Sequence, residues 1–133
     1  MPIQLDIVTP EKRVLSVESA HVRAPGADGQ FGVLPGHTPF IAAMEPGELV
    51  YLAGGVEHRM FVGGGFVEVA EDHVIVLAES AERVEEIDVA RAERALAEAH
   101  SRLQELKAEE DAARVERARV RRATARITLA RKR

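Results

Sequence analysis

The sequence predicts an α+β protein, in which an N-terminal antiparallel β-sandwich of about ten strands is followed by a C-terminal two-helix antiparallel hairpin. All six prolines lie at or before Pro46 and all ten glycines at or before Gly65, so the remaining 68 residues contain neither helix breaker. Apolar residues alternate in the first part of the chain and recur every three or four positions in the second. We therefore expect a β-sandwich domain at 1–85 and a helical hairpin domain at 86–133.

Charge divides the chain at nearly the same place. Residues 1–86 carry 5 Lys/Arg and 14 Asp/Glu, a net charge of −9, whereas residues 87–133 carry 13 and 8, a net charge of +5. The segment from Arg114 to Arg133 holds nine basic residues and one acid, Glu116. Two parts of opposite charge indicate two structural units with different partners.

Composition excludes several kinds of protein. Aromatic residues make up only 4% of the 133-residue chain and Trp is absent, so the core must consist mainly of Val, Ile, Leu and Ala. The lack of Cys rules out disulfides, thiolate zinc sites and thiol nucleophiles. The N-terminal sequence does not resemble a signal peptide, and no window approaches about 18 apolar residues. We therefore expect a soluble protein inside the cell with no direct membrane insertion.

The strands are predicted from alternation. In IQLDIV the apolar residues at positions 3, 5 and 7 share one face, and comparable runs are ELVYL, VEHRMFV, GFVEVA and HVIVLAE. Gly54-Gly55 separates two runs by a tight turn that needs positive φ, and the segment from Glu71 to His73 offers a second reversal. Short runs with frequent turns favour an antiparallel sandwich or flattened barrel of eight to ten strands, and a parallel sheet is not expected.

The helices follow from a change of period after Ile87. The apolar stripe comprises Leu96, Ala99, Leu103 and Leu106 in the first helix, and Ala113, Val120, Ala123, Ile127 and Ala130 in the second. The segment KAEED between them contains no Gly or Pro, so the sequence permits both a hairpin and one extended helix. Ala fills many stripe positions, and each missing buried CH₂ forgoes about 0.8 kcal/mol. These features predict a hairpin that is held weakly enough to open.

No catalytic or metal site is indicated. The glycine-rich VGGGF at 62–66 is followed by a strand and by no Lys-Ser/Thr, so it predicts a bend or bulge within a strand and not a phosphate loop. The five histidines show no pair with the spacing of metal ligands, so no metal site is expected. No nucleophile, base and orienting group can be assembled, which disfavours a hydrolase.

Two segments carry candidate interaction residues. The loop FGVLPGHTPF at 31–40 is stiffened by two prolines and presents His37, either in a structural turn or as part of a partner-binding loop. Asp88 and Arg91 lie three positions apart at the head of the first helix, where an Asp caps the helix and an Asp/Arg pair adds a few tenths of a kcal/mol. The basic terminal helix lacks alternating acids, which favours an acidic partner over a merely solvated face.

These motifs occur together, and in this order, in one known family. FGVLPGHTPF, GGFVEV at 64–69, VIVLAESAERVEEID at 74–88 and IDVARA at 87–92 precede a helical tail without glycine. In this combination, and over essentially its whole length, the chain resembles the epsilon subunit of the bacterial F-type rotary ATP synthase.

The resemblance implies a non-catalytic subunit of the central rotor. In that family a ten-stranded β-sandwich stands beside the gamma subunit and on the ring of c subunits. Two C-terminal helices either fold back on the sandwich or extend along gamma into the alpha/beta catalytic head, where they block ATP hydrolysis. The implied location is the cytoplasmic face of the bacterial inner membrane, peripheral and within the complex. No cofactor is implied, apart from ATP as a regulatory ligand.

The resemblance also implies an ATP site. IDVARA is similar to the family motif I/L-D-x-x-R-A, whose Asp and Arg help to bind ATP in the folded-back state. Carried over, the ATP-binding residues are Glu82, Asp88, Arg91, Ala92, Arg122 and Arg126. Arg121 competes with Arg122 for the first second-helix position. Glu98 stands where some ATP-binding relatives carry a basic residue, and this departure favours weak binding or none.

Partner contacts are implied in both domains. Contact with the c ring is expected from the loop between Asp28 and His37, where Gln30 stands in place of the acid that many relatives carry. Contact of the second helix with an acidic segment of the catalytic beta subunits is expected from Arg114, Arg117, Arg119, Arg121 and Arg122. A nucleic-acid-binding adaptor is the alternative from another class, but the acidic, aromatic-poor first domain disfavours a nucleic-acid partner.

Overall fold

The structure is a computed structural model that describes residues 2–133. The chain separates into two compact units, which divide between Arg83 and Val84. We call the part up to Arg83 the sheet unit and residues 84–133 the hairpin unit. The boundary predicted between 85 and 86 lies two residues further along the chain.

Eight strands form a single hydrogen-bonded sheet in the described part of the sheet unit. They are β1 (Ile3–Val8), β2 (Arg13–Ser19), β3 (His21–Gly26), β4 (Gly29–Val33), β5 (Phe40–Ala53), β6 (Val56–Ala70), β7 (His73–Ala78) and β8 (Ala81–Arg83). The order is β2-β1-β7-β6-β5-β3-β4, and β8 pairs with β6. A strand-rich unit followed by two helices confirms the predicted α+β class.

One pair of strands departs from the predicted antiparallel arrangement. β1 and β7 run parallel, with Leu5 opposite Val74 and Ile7 opposite Val76, whereas the other pairs among the described strands are antiparallel. Alternating apolar residues identify a strand but not its neighbour, because both pairing modes place successive side chains on opposite faces. The predicted antiparallel arrangement is therefore confirmed for the other described pairs, and β1 with β7 is the exception.

The eight described strands lie at the lower end of the predicted eight to ten, because two predicted runs share one strand. VEHRMFV and GFVEVA, which the sequence predicts as separate strands, both lie in β6, a strand of 15 residues. The chain passes through Gly64 (φ 99°) and Gly65 (φ 125°) without reversing, in a conformation that L side chains rarely adopt. The glycines of VGGGF thus lie within a strand, as predicted, and they merge two predicted strands into one. β5 likewise continues through Pro46 over 14 residues.

Both predicted reversals are confirmed. Gly54 and Gly55, at φ 60° and 75°, join β5 to β6 in a two-residue hairpin, with Ala53 opposite Val56. The second reversal uses Glu71 and Asp72 at φ 51° and 58°, which is uncommon for residues with a side chain. The Asp72 carboxylate accepts a hydrogen bond of 2.6 Å from the backbone N–H of Gly36, so this turn also supports the loop that carries His37.

The core of the sheet unit is built from the inward positions of the strands. Fully buried side chains include Ile3, Leu5 and Ile7 of β1 and Val74 and Val76 of β7. This alternation is the one predicted for IQLDIV and HVIVLAE. Each such side chain contributes about 1.5–3 kcal/mol when it is fully removed from water, so the inward positions determine which face of each strand is buried.

The hairpin unit begins with a short 3₁₀ helix (Val84–Glu86), followed by α1 (Val89–Gln104) and α2 (Asp111–Arg131). Arg102 near the end of α1 lies 3.5 Å from Glu116 near the start of α2, so the helices pack antiparallel in a hairpin. Their buried residues are mostly small, namely Ala92 and Ala99 in α1 and Ala113, Glu116, Ala123, Ile127, Leu129 and Ala130 in α2. The alanine-rich stripe is thus observed, and this structure adopts the hairpin alternative.

Candidate functional site

The start of α1 shows the structural role predicted for Asp88. Asp88 is the N-cap of the helix, and its Oδ1 accepts a hydrogen bond of 3.0 Å from the backbone N–H of Arg91. The Asp88 carbonyl accepts another from the N–H of Ala92, which is buried. The carboxylate thus binds the Arg91 backbone, and Arg91 itself is exposed.

The second helix places Arg122 and Arg126 one turn apart. Both are half-buried and, at a spacing of four, lie on one face of α2, where Arg119 continues the row at a spacing of three. Arg121 is exposed and lies about 100° from Arg122 around the helix axis. Helix geometry therefore groups Arg126 with Arg122 and not with Arg121.

Two acids predicted to affect ATP binding lie in different surroundings. Glu82 is half-buried in β8 and therefore belongs to the sheet unit, whereas the other predicted ATP-binding residues belong to the hairpin unit. Glu98 lies on α1 with its side chain 66% exposed, and its carboxylate is 3.8 Å from Arg102 one turn later. The spacing of seven from Arg91 to Glu98 places both on one side of α1, so this row contains an acid as well as a cation.

Glu116 is a charged residue of the hairpin that the sequence analysis did not assign to a site. Its side chain is only 9% exposed, and its carboxylate accepts a hydrogen bond of 3.0 Å from Arg119 and lies 3.5 Å from Arg102 of the other helix. Because the buried carboxylate is held by two guanidinium groups, removal of either partner is expected to destabilise the hairpin. The signal in the sequence was its position as the only acid between Arg114 and Arg133.

The arginines predicted to bind a partner divide between two faces of α2. Arg114, Arg117 and Arg121 are exposed and follow spacings of three and four, whereas Arg119 and Arg122 belong to the row described above. Arg114 lies 3.5 Å from Asp111, and Arg117 donates a hydrogen bond of 3.2 Å to the carbonyl of Ala108. The exposed stripe is thus partly anchored near the connection between the helices.

The predicted c-ring contact residues are all exposed in the sheet unit. Asp28 lies in the turn between β3 and β4, Gln30 lies on β4, and His37 lies in the loop before β5. The His37 ring packs on Phe40 at a centroid distance of 4.9 Å, and Phe40 meets Phe31 of β4 edge-on at 5.3 Å. The loop is therefore anchored to the strand that follows Asp28.

Sequence reasoning missed an exposed apolar row on one face of the sheet, which we call the outer row. It consists of Ile41, Phe66 and Leu77, which are 71%, 56% and 49% exposed. Phe66 and Leu77 are directly opposite each other on β6 and β7, and Ile41 lies on the neighbouring β5. The missed signal was the presence of large apolar residues at the outward positions of strands whose inward positions are also apolar.

Carboxylates flank the outer row. Glu68 on β6 is exposed and pairs with Ile41 on β5. On its other side Glu68 pairs with Ile75 of β7, which in turn pairs with Asp6 of β1. Hydrogen bonds from Ser16 and from His73 lower the pKa of the Asp6 carboxyl below its ordinary value, so this acid remains ionised at neutral pH. An apolar row with an acidic border suits a partner with an apolar ridge and basic neighbours.

Among residues 2–133, no helix is long and apolar enough to cross a membrane. Within the same residues, no three His, Asp or Glu side chains cluster in a way that could hold a metal ion.

Comparison with known proteins identifies relatives over the whole chain. The family model described as ATP synthase, Delta/Epsilon chain, beta-sandwich domain matches residues 2–84. An ATP synthase epsilon chain from Anaeromyxobacter sp. (strain K) is 55% identical over 130 residues, which cover 98% of each chain. The ATP synthase epsilon chain of Myxococcus xanthus (strain DK1622) is 49% identical over 128 residues, covering 96% of this chain and 94% of the relative.

Solved structures show the same fold at lower identity. A chain of the Euglena gracilis mitochondrial ATP synthase OSCP/F1/c-ring assembly matches with a TM-score of 0.75 at 24% identity, covering 99% of this chain and 82% of that one. A chain of the Tetrahymena thermophila mitochondrial ATP synthase central stalk and c ring matches with a TM-score of 0.65 at 15% identity, covering 99% and 96%. With the family model and the close full-length relatives, the chain belongs to the ATP synthase epsilon chain family.

Proposed function

We propose that this chain is a non-catalytic central-stalk subunit of a proton-translocating F-type ATP synthase, which couples the gamma subunit to the c ring and restrains ATP hydrolysis through its C-terminal helices. The observation that carries the proposal is the combination, within a chain related over its whole length to epsilon chains, of a sheet with an exposed apolar row and a thinly packed basic hairpin. Within the complex it lies peripherally at the cytoplasmic face of the bacterial inner membrane.

The outer row supports gamma as a partner of the sheet unit. A soluble protein gains nothing from exposing Ile41, Phe66 and Leu77 on adjacent strands, whereas burial of this row against a partner removes apolar area from water at about 25 cal/mol per Å². The c ring is proposed to contact exposed residues outside the outer row, namely Asp28, Gln30 and His37.

Phe66→Asp is expected to weaken binding of the full chain to gamma by at least about tenfold, because a large aromatic anchor is lost and a charge enters an apolar interface. Val56→Asp is the matched control. Val56 lies on the same strand, is also 56% exposed, and is separated from Phe66 by ten positions, about 33 Å of strand. Affinity measured by surface plasmon resonance should fall for the first variant only. Equal affinity for both variants would remove the outer row from the interface.

The weak packing between α1 and α2 supports a regulatory role for the hairpin. Alanine dominates the buried positions, so separation of α1 and α2 exposes less apolar surface than separation of a leucine-rich pair would. The residues between the helices include no Gly or Pro, and α2 displays an exposed stripe of Arg114, Arg117 and Arg121. We infer that the extended form presents this stripe to an acidic segment of the alpha/beta catalytic head and slows hydrolysis there.

ATP is the proposed regulatory ligand of the folded hairpin. Arg91, Arg122 and Arg126 are cations suited to phosphate, and Asp88 and Ala92 shape the first turn of α1. Glu98 opposes phosphate from the same side of α1, so weak binding is expected. ATP at 100 times its dissociation constant would favour the hairpin by about 2.7 kcal/mol, which is less than the roughly 5.5 kcal/mol needed to reverse a 1:99 population. ATP therefore biases the equilibrium between the two forms and does not reverse it alone.

Calorimetry on the isolated chain tests this site. Titration with ATP should give a binding heat at millimolar concentration that Arg91→Ala and Arg126→Ala each reduce strongly, because each removes a cation from the phosphate site. Arg114→Ala serves as the control, since it removes the same charge from the exposed stripe of α2. No heat with the unmodified chain, or equal losses in all three variants, would contradict a specific nucleotide site.

A further inference from the structure

One side chain joins the two ends of the hairpin unit. Nη1 of Arg133, just beyond the end of α2, donates hydrogen bonds to the carbonyl oxygens of Val84 at 3.2 Å, Glu85 at 3.4 Å and Ile87 at 3.0 Å. These carbonyls belong to the 3₁₀ helix and to the residue directly before the Asp88 cap. A single guanidinium group thus binds three carbonyl oxygens of the backbone segment that leads into α1.

The geometry of this contact depends on the hairpin being closed. The 3₁₀ helix contains only three residues, and its continuation into the cap is supported by a bond of 3.3 Å from the Ile87 N–H to the Val84 carbonyl. Hydrogen bonds from a charged donor are stronger than neutral ones, so the three bonds from Arg133 reinforce this short turn. Val84 and Ile87 are themselves buried, which orients their carbonyls.

An extended form cannot keep the contact. In one continuous helix, Arg133 would lie about 69 Å from Ile87, at 1.5 Å per residue. All three bonds would be lost together as α2 swings away from α1. The contact between Arg102 and Glu116 lies beside the connection, where the chain already holds the helices together, whereas Arg133 lies at the open end where separation begins.

We propose that Arg133 is a clasp that closes the open end of the hairpin and couples closure to the shape of the Asp88 turn. While the clasp is engaged, the segment 84–87 is held so that Asp88 caps α1 and orients the Arg91 N–H. When the clasp is released, the first turn of α1 loosens and the helices separate more readily. The clasp can be tested on the isolated chain, so its test does not depend on the proposed restraint on ATP hydrolysis.

Hydrogen exchange on the full-length chain tests the clasp. Arg133→Ala should accelerate exchange of the Arg91 and Ala92 amides by about tenfold, because these amides are bonded to Asp88 and the turn before it would lose its charged hydrogen bonds. Arg131→Ala is the matched control, since it removes the same residue type and charge from the last turn of α2. Exchange in the core of the sheet unit, at Leu5 for example, should not change and reports on intact folding.

A distance measurement gives a second readout. With spin labels at Arg94 and Thr128, both exposed, the population at the closed-hairpin distance should fall in Arg133→Ala and stay constant in Arg131→Ala. Arg133→Lys keeps the charge and a donor and should restore part of both signals. If Arg133→Ala matches Arg131→Ala in exchange and in distance, the three hydrogen bonds do not clasp the hairpin and the proposal is overturned.

Discussion

Replacing Gly65 by alanine is expected to destabilise the sheet unit more than the same replacement at a glycine that faces open space. Gly65 lies at φ 125° within β6, and an added Cβ would overlap with the carbonyl oxygen of Leu77 and press on the Cα of Ala78. Both atoms belong to the backbone of the paired strand β7, so a side-chain rotation cannot relieve the overlap. The variant must either change φ or separate β6 from β7 at this point.

Gly65→Ala combines two destabilising effects, a positive φ that alanine adopts poorly and an overlap with β7. Gly29→Ala has only the first of these effects. Gly29 has nearly the same φ, 122°, but nothing lies within 4 Å of the position that a Cβ would take, so it carries the conformational cost of about 1–3 kcal/mol without the overlap. Gly65→Ala should cost at least about 2 kcal/mol more, as overpacking against a fixed backbone does. Urea unfolding of the two full-length variants measures the difference. Equal losses of unfolding free energy would show that β6 and β7 are not closely apposed there.

Deleting residues 88–133 is expected to raise ATP hydrolysis by the assembled enzyme several-fold while assembly is retained. The deletion removes both helices and leaves the whole sheet unit, which carries the outer row and the Asp28 and His37 segments. If the helices restrain the catalytic head, their removal frees hydrolysis, whereas binding to gamma depends on strands that remain. Steady-state hydrolysis, together with the gamma affinity of the truncated chain, reports the two functions separately.

The exposed arginines provide the control for this deletion. Replacing Arg114, Arg117 and Arg121 by alanine keeps both helices and the buried Glu116 contacts but removes the exposed basic stripe. Hydrolysis should rise in part, and the difference from the unmodified chain should shrink at high salt, because exposed charges are screened. Hydrolysis unchanged by the deletion would refute the restraint, and a deletion effect with a neutral triple variant would assign it to other residues.

The turn and strand elements were predictable where local chemistry decides them. Gly54-Gly55 and the reversal at Glu71–His73 follow from two-residue spacing between alternating runs, and both are observed. The glycines at 63–65 were correctly placed within a strand. The sequence could not show that they join two runs into one 15-residue strand, because glycine serves equally well in a reversal and in an extended chain at positive φ.

The candidate site was predictable only in part for a similar reason. Asp88 as a helix cap follows from its position before an amphipathic stripe, since capping involves residues three positions apart. The contact of Arg102 with Glu116 joins residues 14 positions apart. The contacts of Arg133 with the carbonyls before Asp88 join residues 46 or more positions apart. Such contacts depend on how α2 packs against α1. Because the sequence permits both a hairpin and one extended helix, neighbouring residues do not predict these contacts.

The sequence by itself determined the α+β class, the alternation that buries β1 and β7, the positions of the tight turns, and the kinship with epsilon chains. These features depend on side-chain period and on backbone preferences of neighbouring residues. The tertiary structure decided the parallel pairing of β1 with β7, the exposure of the outer row, the burial of Glu116 and the contact of Arg133. Each depends on which distant segments meet, and the free energy of that choice comes from packing and charge pairing across the fold, which no local pattern records.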